Sequence, residues 1–264
     1  MNGEVGNMLL AVDVGNTQTV VGVYSKSDLI NMWRLATNRV CTADELRVSL
    51  ISLFQSAGLD LSCVHRAALS SVVPQLTQAW CSAVRECCGV DMLICSAQTA
   101  GQLFCAHYPN VSEIGADRIA DAVAMKAIYG YPGIVVDFGT ATNIEVIDSE
   151  GFFVGGIIAP GLQTSAQTLF TRGAQLPAVA LGAPSYVIGT NTVEAMQSGI
   201  VLGEVDRVEG LIKRVFKQLG YETFVVATGG LAGLVAKHCE TITHVNPELT
   251  LEGLRLISDC NANS

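Results

Sequence analysis

What the chain lacks narrows it before any motif is read. Its 264 residues contain no Gly-x4-Gly-Lys-Ser/Thr and no Gly-x-Gly-x-x-Gly, so neither a P-loop nor a dinucleotide fingerprint is present. Charge is scarce: Asp, Glu, Lys and Arg make up 15% of the chain, against a usual ~25%. Lys+Arg number 15 against Asp+Glu 24, a net charge of −9. No nucleic-acid partner is expected, because such a partner needs a basic face to displace counterions. No run approaches the ~18 apolar residues of a membrane span, so no membrane partner is expected either. No basic stretch precedes the first apolar segment, so the chain is expected to be cytoplasmic. The nine cysteines form no Cys-x-x-Cys pair and the four histidines no ligand spacing. Reduced thiols packed as small hydrophobes are the expectation.

What is present is a core-rich α/β pattern. Half the residues are hydrophobic and 26 are glycine. An apolar strand, Leu9–Val14, carries Asp13 and runs into Gly15-Asn16-Thr17. Two further runs, Thr19–Tyr24 and Leu29–Leu35, complete a predicted meander. Thr42-Ala43-Asp44-Glu45 is a capping box that opens a helix with Leu46, Leu50, Leu53 and Phe54 at helical spacing. Ala67–Val73 reads as a buried strand, Pro74–Cys87 as a helix and Val90–Cys95 as a strand. The opening pattern then returns 124 positions later, as Ile134-Val135-Val136-Asp137-Phe138-Gly139-Thr140. A period this long is no solenoid; it indicates two copies of one domain, 1–114 and 115–264, with the boundary near a helix over Ala116–Tyr129. In the second copy, 159–188 reads as a loop containing Pro160, Pro177 and Pro184. A helix follows over 192–219 with Asn191 as N-cap and Glu194 at N3. A strand over Phe224–Ala227 runs into Thr228-Gly229-Gly230, which opens another helix. A final helix is expected from Glu248 to about Ser258, packed back on the first domain.

A buried strand ending in Asp-x-Gly-Asn-Thr is a candidate phosphate loop. Gly15 lets backbone approach a ligand, Asn16 and Thr17 offer donors, and Asp13 can hold the water shell of Mg²⁺. One such strand–turn is usually only a turn; two in twin domains form a clamp for the phosphate tail of ATP.

In Gly115-Ala116-Asp117-Arg118, Asp137-Phe138-Gly139-Thr140-Ala141-Thr142, Gly155-Gly156-x-Ile158-x-Pro160-Gly161 and Asn191-Thr192-x-Glu194-x-Met196-x-Ser198-Gly199, the chain resembles the type III pantothenate kinases, within the acetate and sugar kinase, Hsp70 and actin superfamily. The resemblance runs from Met8 to about Asp259; Met1–Asn7 lies outside it, and Met8 is the expected start. It implies two duplicated ribonuclease-H-like (actin-like ATPase) domains with a central cleft, acting as a homodimer. It implies transfer of the ATP γ-phosphate to the 4′-hydroxyl of pantothenate, the opening step of coenzyme A synthesis. By the same resemblance Asp13, Val14, Gly15, Asn16, Thr17, Gln18, Thr19 and Val20 form the first phosphate loop and Thr140 belongs to the second. Tyr108, Gly115, Ala116, Asp117, Arg118 and Thr192 meet pantothenate, with Asp117 as base. Asp137 is matched to a monovalent-cation ligand, for potassium or ammonium, while Mg²⁺ accompanies ATP. Pro109 and Val111 depart from the family's usual spacing after Tyr108. Other roles stand beside these. Asp117 and Arg118 equally read as a helix-dipole partner and a salt-bridging residue, Tyr108 as a loop aromatic, and Asn191-Thr192 as a plain N-cap pair. A phosphohydrolase and an ATP-binding regulatory or actin-like protein are the alternatives. Asp117 is expected to be ionised, with a low pKa, because a helix N-terminus and Arg118 both favour its charge.

Overall fold

The computed structural model describes residues 7–173 and 176–262. Met1–Gly6, within the segment outside the resemblance, are not among the described residues. Two compact units emerge, Met1–Ala127 with Leu249–Ser264 and Ile128–Glu248. Nearly all of the helix expected to open the second domain thus belongs to the first unit, and so does the final helix.

The first unit is built on β1 (Met8–Val14), β2 (Gln18–Ser25) and β3 (Asp28–Ala36), then α1 (Ala43–Ser56), β4 (Val64–Ser71), α2 (Pro74–Cys88), β5 (Met92–Ile94), the single turn α3 (Ala97–Ala100) and α4 (Ala116–Ile128). The sheet order is β3-β2-β1-β4-β5. β2 and β3 pair antiparallel, as tight turns allow, whereas β1–β4 and β4–β5 are parallel and need crossovers. One sheet face packs Leu10, Val12, Val14, Val21, Val23 and Leu69 against Leu46, Leu50, Phe54, Leu76, Trp80 and Val84 of α1 and α2. The capping box forms as expected: Glu45 N–H donates to Thr42 Oγ1 at 3.3 Å and Thr42 N–H to Glu45 Oε2 at 2.8 Å.

The second unit repeats the plan with β6 (Gly133–Phe138), β7 (Ala141–Ile147), β8 (Phe153–Pro160), α5 (Leu162–Arg172), α6 (Thr192–Gln197), α7 (Gly203–Leu219), β9 (Phe224–Thr228), the one-turn α8 (Ala232–Val235) and β10 (His244–Val245). Its order is β10-β9-β6-β7-β8, the same sequence of neighbours, with β6–β7–β8 antiparallel and β6–β9–β10 parallel. The duplication inferred from one recurring motif therefore extends to strand sense and order.

Four elements depart from the sequence reading. The expected loop over 159–188 contains α5, which has no side-chain cap at Gly161 and buries only Leu162 and Ala166; neither signal that marks a helix is strong there. The helix over 192–219 is interrupted by a π segment, Ser198–Leu202. The helix expected after Thr228-Gly229-Gly230 is a single turn, and β10 is too short to show periodicity.

α9 (Leu249–Ala262) closes the first unit. Thr250 Oγ1 donates to Asp121 Oδ1 of α4 at 2.7 Å, Arg66 of β4 pairs with Asp259 at 2.7 Å, and Asn261 Nδ2 donates to the Thr99 carbonyl at 2.8 Å.

Candidate active site

The first phosphate-loop candidate is a tight turn between β1 and β2. Gly15 N–H donates to the Gln18 carbonyl at 3.0 Å. Asn16, Thr17 and Gln18 are exposed at its tip, while Val14 and Thr19 point inward and Asp13 and Val20 are half-buried. Of the eight residues assigned to this loop, Val14, Gly15 and Thr19 therefore have only backbone to offer a ligand. Thr37, just past β3, pins the turn. Its hydroxyl donates to the Gly15 carbonyl at 2.8 Å and so accepts from Thr19 Oγ1 at 2.9 Å, and its N–H donates to the Thr17 carbonyl at 2.9 Å. Arg39 donates to Asn16 Oδ1 at 2.9 Å, which brings positive charge to the loop of an acidic chain. Spacing singles out neither Thr37 nor Arg39; only the β2–β3 pairing brings them here.

Asp13 lies at the carboxyl end of β1, where ligands bind in open α/β sheets. Three groups share that end. Ser70 of β4 is in register with Asp13. Cys95 follows β5, its N–H bonded to the Leu69 carbonyl at 2.8 Å, and its thiol donates to the Ala116 carbonyl at 3.3 Å. That bond ties the first turn of α4, and with it Asp117, to the strand ends. Burial pushes the Cys95 thiol up to about 12, and the charges of Asp117, Asp13 and Asp121 add to the shift. The thiol therefore stays protonated, a donor and not a nucleophile.

Asp117 sits in the first turn of α4 behind Gly115 and Ala116. Its carboxylate folds back over Gly115, where any Cβ would collide with Oδ1, and it accepts the Arg118 N–H at 2.8 Å. Burial raises the Asp117 pKa above the ordinary carboxylate value, while the Arg118 N–H and guanidinium pull it down less. This corrects the expected low pKa: the helix terminus and Arg118 are present, but loss of water outweighs them. A carboxylate held in this way is a stronger base. Arg118 is buried, and Tyr108 is half-buried in the loop before α4.

In the second unit Asp137 occupies the matching strand end, in register with Asn143 on one side and Thr228 on the other. Thr140 is exposed; its carbonyl accepts from Gly161 N–H at 3.1 Å and Thr164 Oγ1 at 2.7 Å. Gly229, with φ +89°, lies so close to Asp137 that a Cβ would overlap its Oδ1. Thr192 is exposed in the first turn of α6, capped by Asn191, whose Oδ1 accepts the Glu194 N–H at 3.0 Å.

Two sheets of one topology, each with an Asp and a glycine turn at the end of its first strand, define the actin-like ATPase fold, which sugar kinases share. An activator of 2-hydroxyisocaproyl-CoA dehydratase from Clostridium difficile, solved with bound ADPNP, superposes with a TM-score of 0.51 at 12% identity, over 95% of this chain and 92% of that one. A Baf family protein from Campylobacter jejuni superposes at 0.59 with 19% identity, over 97% and 100%. Sequence resolves the class further. Residues 9–214 match the type III pantothenate kinase family. The type III pantothenate kinase of Moorella thermoacetica is 44% identical over 256 residues, 96% of this chain and 100% of that one. The chain belongs to the type III pantothenate kinase family.

Proposed function

We propose that this chain phosphorylates pantothenate with ATP, with Asp117 as the general base and the Asp13–Val20 turn and Thr140 on the nucleotide phosphates. The observation that carries the assignment is the Cys95 tether, which fixes Asp117 at the same strand end as Asp13. The carboxylate with the raised pKa takes the proton of the pantothenate hydroxyl as its oxygen attacks the terminal phosphorus, and ADP leaves. Such transfers are governed by positioning and charge stabilisation more than by covalent chemistry. Arg118, Tyr108 and Thr192 are read as pantothenate contacts, and the α6 N-terminus suits its carboxylate.

Asp13 fits a role toward Mg²⁺. It is a half-buried carboxylate beside the buried Ser70 hydroxyl, which has no hydrogen-bond partner. Mg²⁺ supplies charge neutralisation when bound and keeps most of its contacts to water and phosphate. Asp137 fits a monovalent cation, potassium or ammonium: its register neighbour Asn143 has a buried Oδ1 without a partner, a second hard oxygen beside the carboxylate. We also read the enzyme as a cytoplasmic homodimer. Tyr186, Val187 and Ile188 are 80%, 73% and 84% exposed, and Ser198 Oγ fastens them to the π segment through the Val187 carbonyl at 2.6 Å; a second copy covering them accounts for that surface. No described helix is long and apolar enough to cross a membrane.

ADP release measured with and without pantothenate tests the assignment. Release that requires pantothenate, with phosphopantothenate as product, supports it. Equal release without pantothenate would make the chain a phosphohydrolase.

A further inference from the structure

One buried hydroxyl has no partner in the strand-end cluster of the first unit. Ser70 is fully buried and its Oγ makes no hydrogen bond. Leaving such a group unsatisfied costs free energy that alanine would not, and the strand already carries buried alanines at 67 and 68. The next residue, Ser71, shows the contrast: its hydroxyl donates to the Val73 carbonyl at 3.1 Å and accepts from Thr77 of α2 at 3.1 Å. Ser71 thus faces α2, and alternation sends Ser70 to the opposite face. Asp13 takes that face too, because Val12 and Val14 on either side of it pack in the α1–α2 core. Ser70 and Asp13 are register partners on parallel strands, about 4.8 Å apart, so both side chains project from one row of the sheet.

We propose that Ser70 is a positioning residue for Asp13: when Mg²⁺ and nucleotide are bound, the Ser70 hydroxyl donates to the Asp13 carboxylate and fixes the oxygen that faces the cation. The inference rests on Asp13 being the carboxylate that serves Mg²⁺. In the free chain the hydroxyl is unpaired and contributes nothing to stability. It is retained at a cost to the fold for an interaction made only in the loaded state.

The test uses Ser70→Ala, with Asp13→Asn and Ser70→Thr alongside. Two quantities are read: thermal unfolding of the free protein, and affinity for a non-hydrolysable ATP analogue titrated across Mg²⁺ concentrations by calorimetry. Ser70→Ala is expected to melt at or above the parent temperature yet to need about 10–100-fold more Mg²⁺ for the same affinity, the range that a hydrogen bond to a charged group spans. Ser70→Thr, which restores the hydroxyl, should recover the Mg²⁺ dependence. A Ser70→Ala protein that melts lower would mean the hydroxyl already serves the free chain, and would overturn the proposal. So would an unchanged Mg²⁺ requirement in Ser70→Ala while Asp13→Asn shifts it. If Asp13→Asn itself leaves the requirement unchanged, the reading of Asp13 has failed, and the role of Ser70 fails with it.

Discussion

Replacing Asp117 with Asn separates catalysis from stability, and the structure predicts that the two move in opposite directions. The amide fills the same volume over Gly115 and its oxygen can still accept the Arg118 N–H, a 2.8 Å bond in the parent. What disappears is the charge and the ability to take a proton. General-base catalysis is worth about 10²–10⁴ in rate, or about 3–5 kcal/mol, so turnover should fall by that factor while affinity for ATP changes little. Stability should behave differently. Burial raises the Asp117 pKa above the ordinary carboxylate value, so the ionised carboxylate is less favourable in the folded than in the unfolded chain. A group whose folded pKa is raised contributes stability below its unfolded pKa and loses it as pH rises through the folded pKa. At neutral pH the parent therefore carries a penalty that Asp117→Asn removes, and the variant should melt at the same temperature or higher. The difference should shrink as pH is lowered through the folded pKa toward the unfolded value. The parent's kcat/KM should also lose activity on the acid side at a pH above the ordinary carboxylate range, because the base must be ionised. Coupled ADP release, thermal scans at several pH values and calorimetric binding of the nucleotide suffice. Turnover within about threefold of the parent, in a folded variant that binds both substrates, would refute the base assignment. A lower melting temperature at neutral pH would refute the reasoning about desolvation.

Three further substitutions or exchanges follow from particular contacts. Thr37→Val removes the hydroxyl that bridges the Gly15 carbonyl and Thr19 Oγ1; it should cost about 1–3 kcal/mol in urea unfolding and raise KM for ATP more than for pantothenate. Gly229→Ala places a Cβ on Asp137 Oδ1 at a φ of +89°; it should destabilise by about 1–3 kcal/mol and weaken activation by potassium, read from unfolding midpoints and a potassium titration. Exchanging potassium for tetramethylammonium should abolish most activity of the parent, and unchanged rates would remove Asp137 from the cation role. Light scattering at micromolar protein should give twice the 27.8 kDa chain mass; a fully active monomer would defeat the dimer reading.

The sequence by itself determined the duplicated plan. Asp13-x-Gly15 and Asp137-x-Gly139 are local patterns: an apolar β-branched run, a carboxylate at its end and a glycine where the chain turns. Turn position and the Thr42–Glu45 cap depend on residues within a few positions of one another, so they can be read from order alone, whereas the parallel pairing of β1 with β4 and of β6 with β9 joins residues far apart and is decided by the fold. The motif around Asp117 could be read only through its likeness to a family, because a carboxylate in a first helical turn looks the same whether it caps or catalyses. Tertiary structure decided what depends on residues far apart in the chain. Thr37 reaches Gly15 only through β2–β3 pairing, and Cys95 reaches Ala116 only because β5 ends beside α4. That the final helix packs back on the first unit was expected from the sequence, but its partners there, Asp121, Arg66 and Thr99, are each more than a hundred residues away and only the fold identifies them. The ionisation of Asp117 was decided there as well. Its sequence neighbours favour the charge, but desolvation in the folded chain outweighs a local dipole and one adjacent guanidinium.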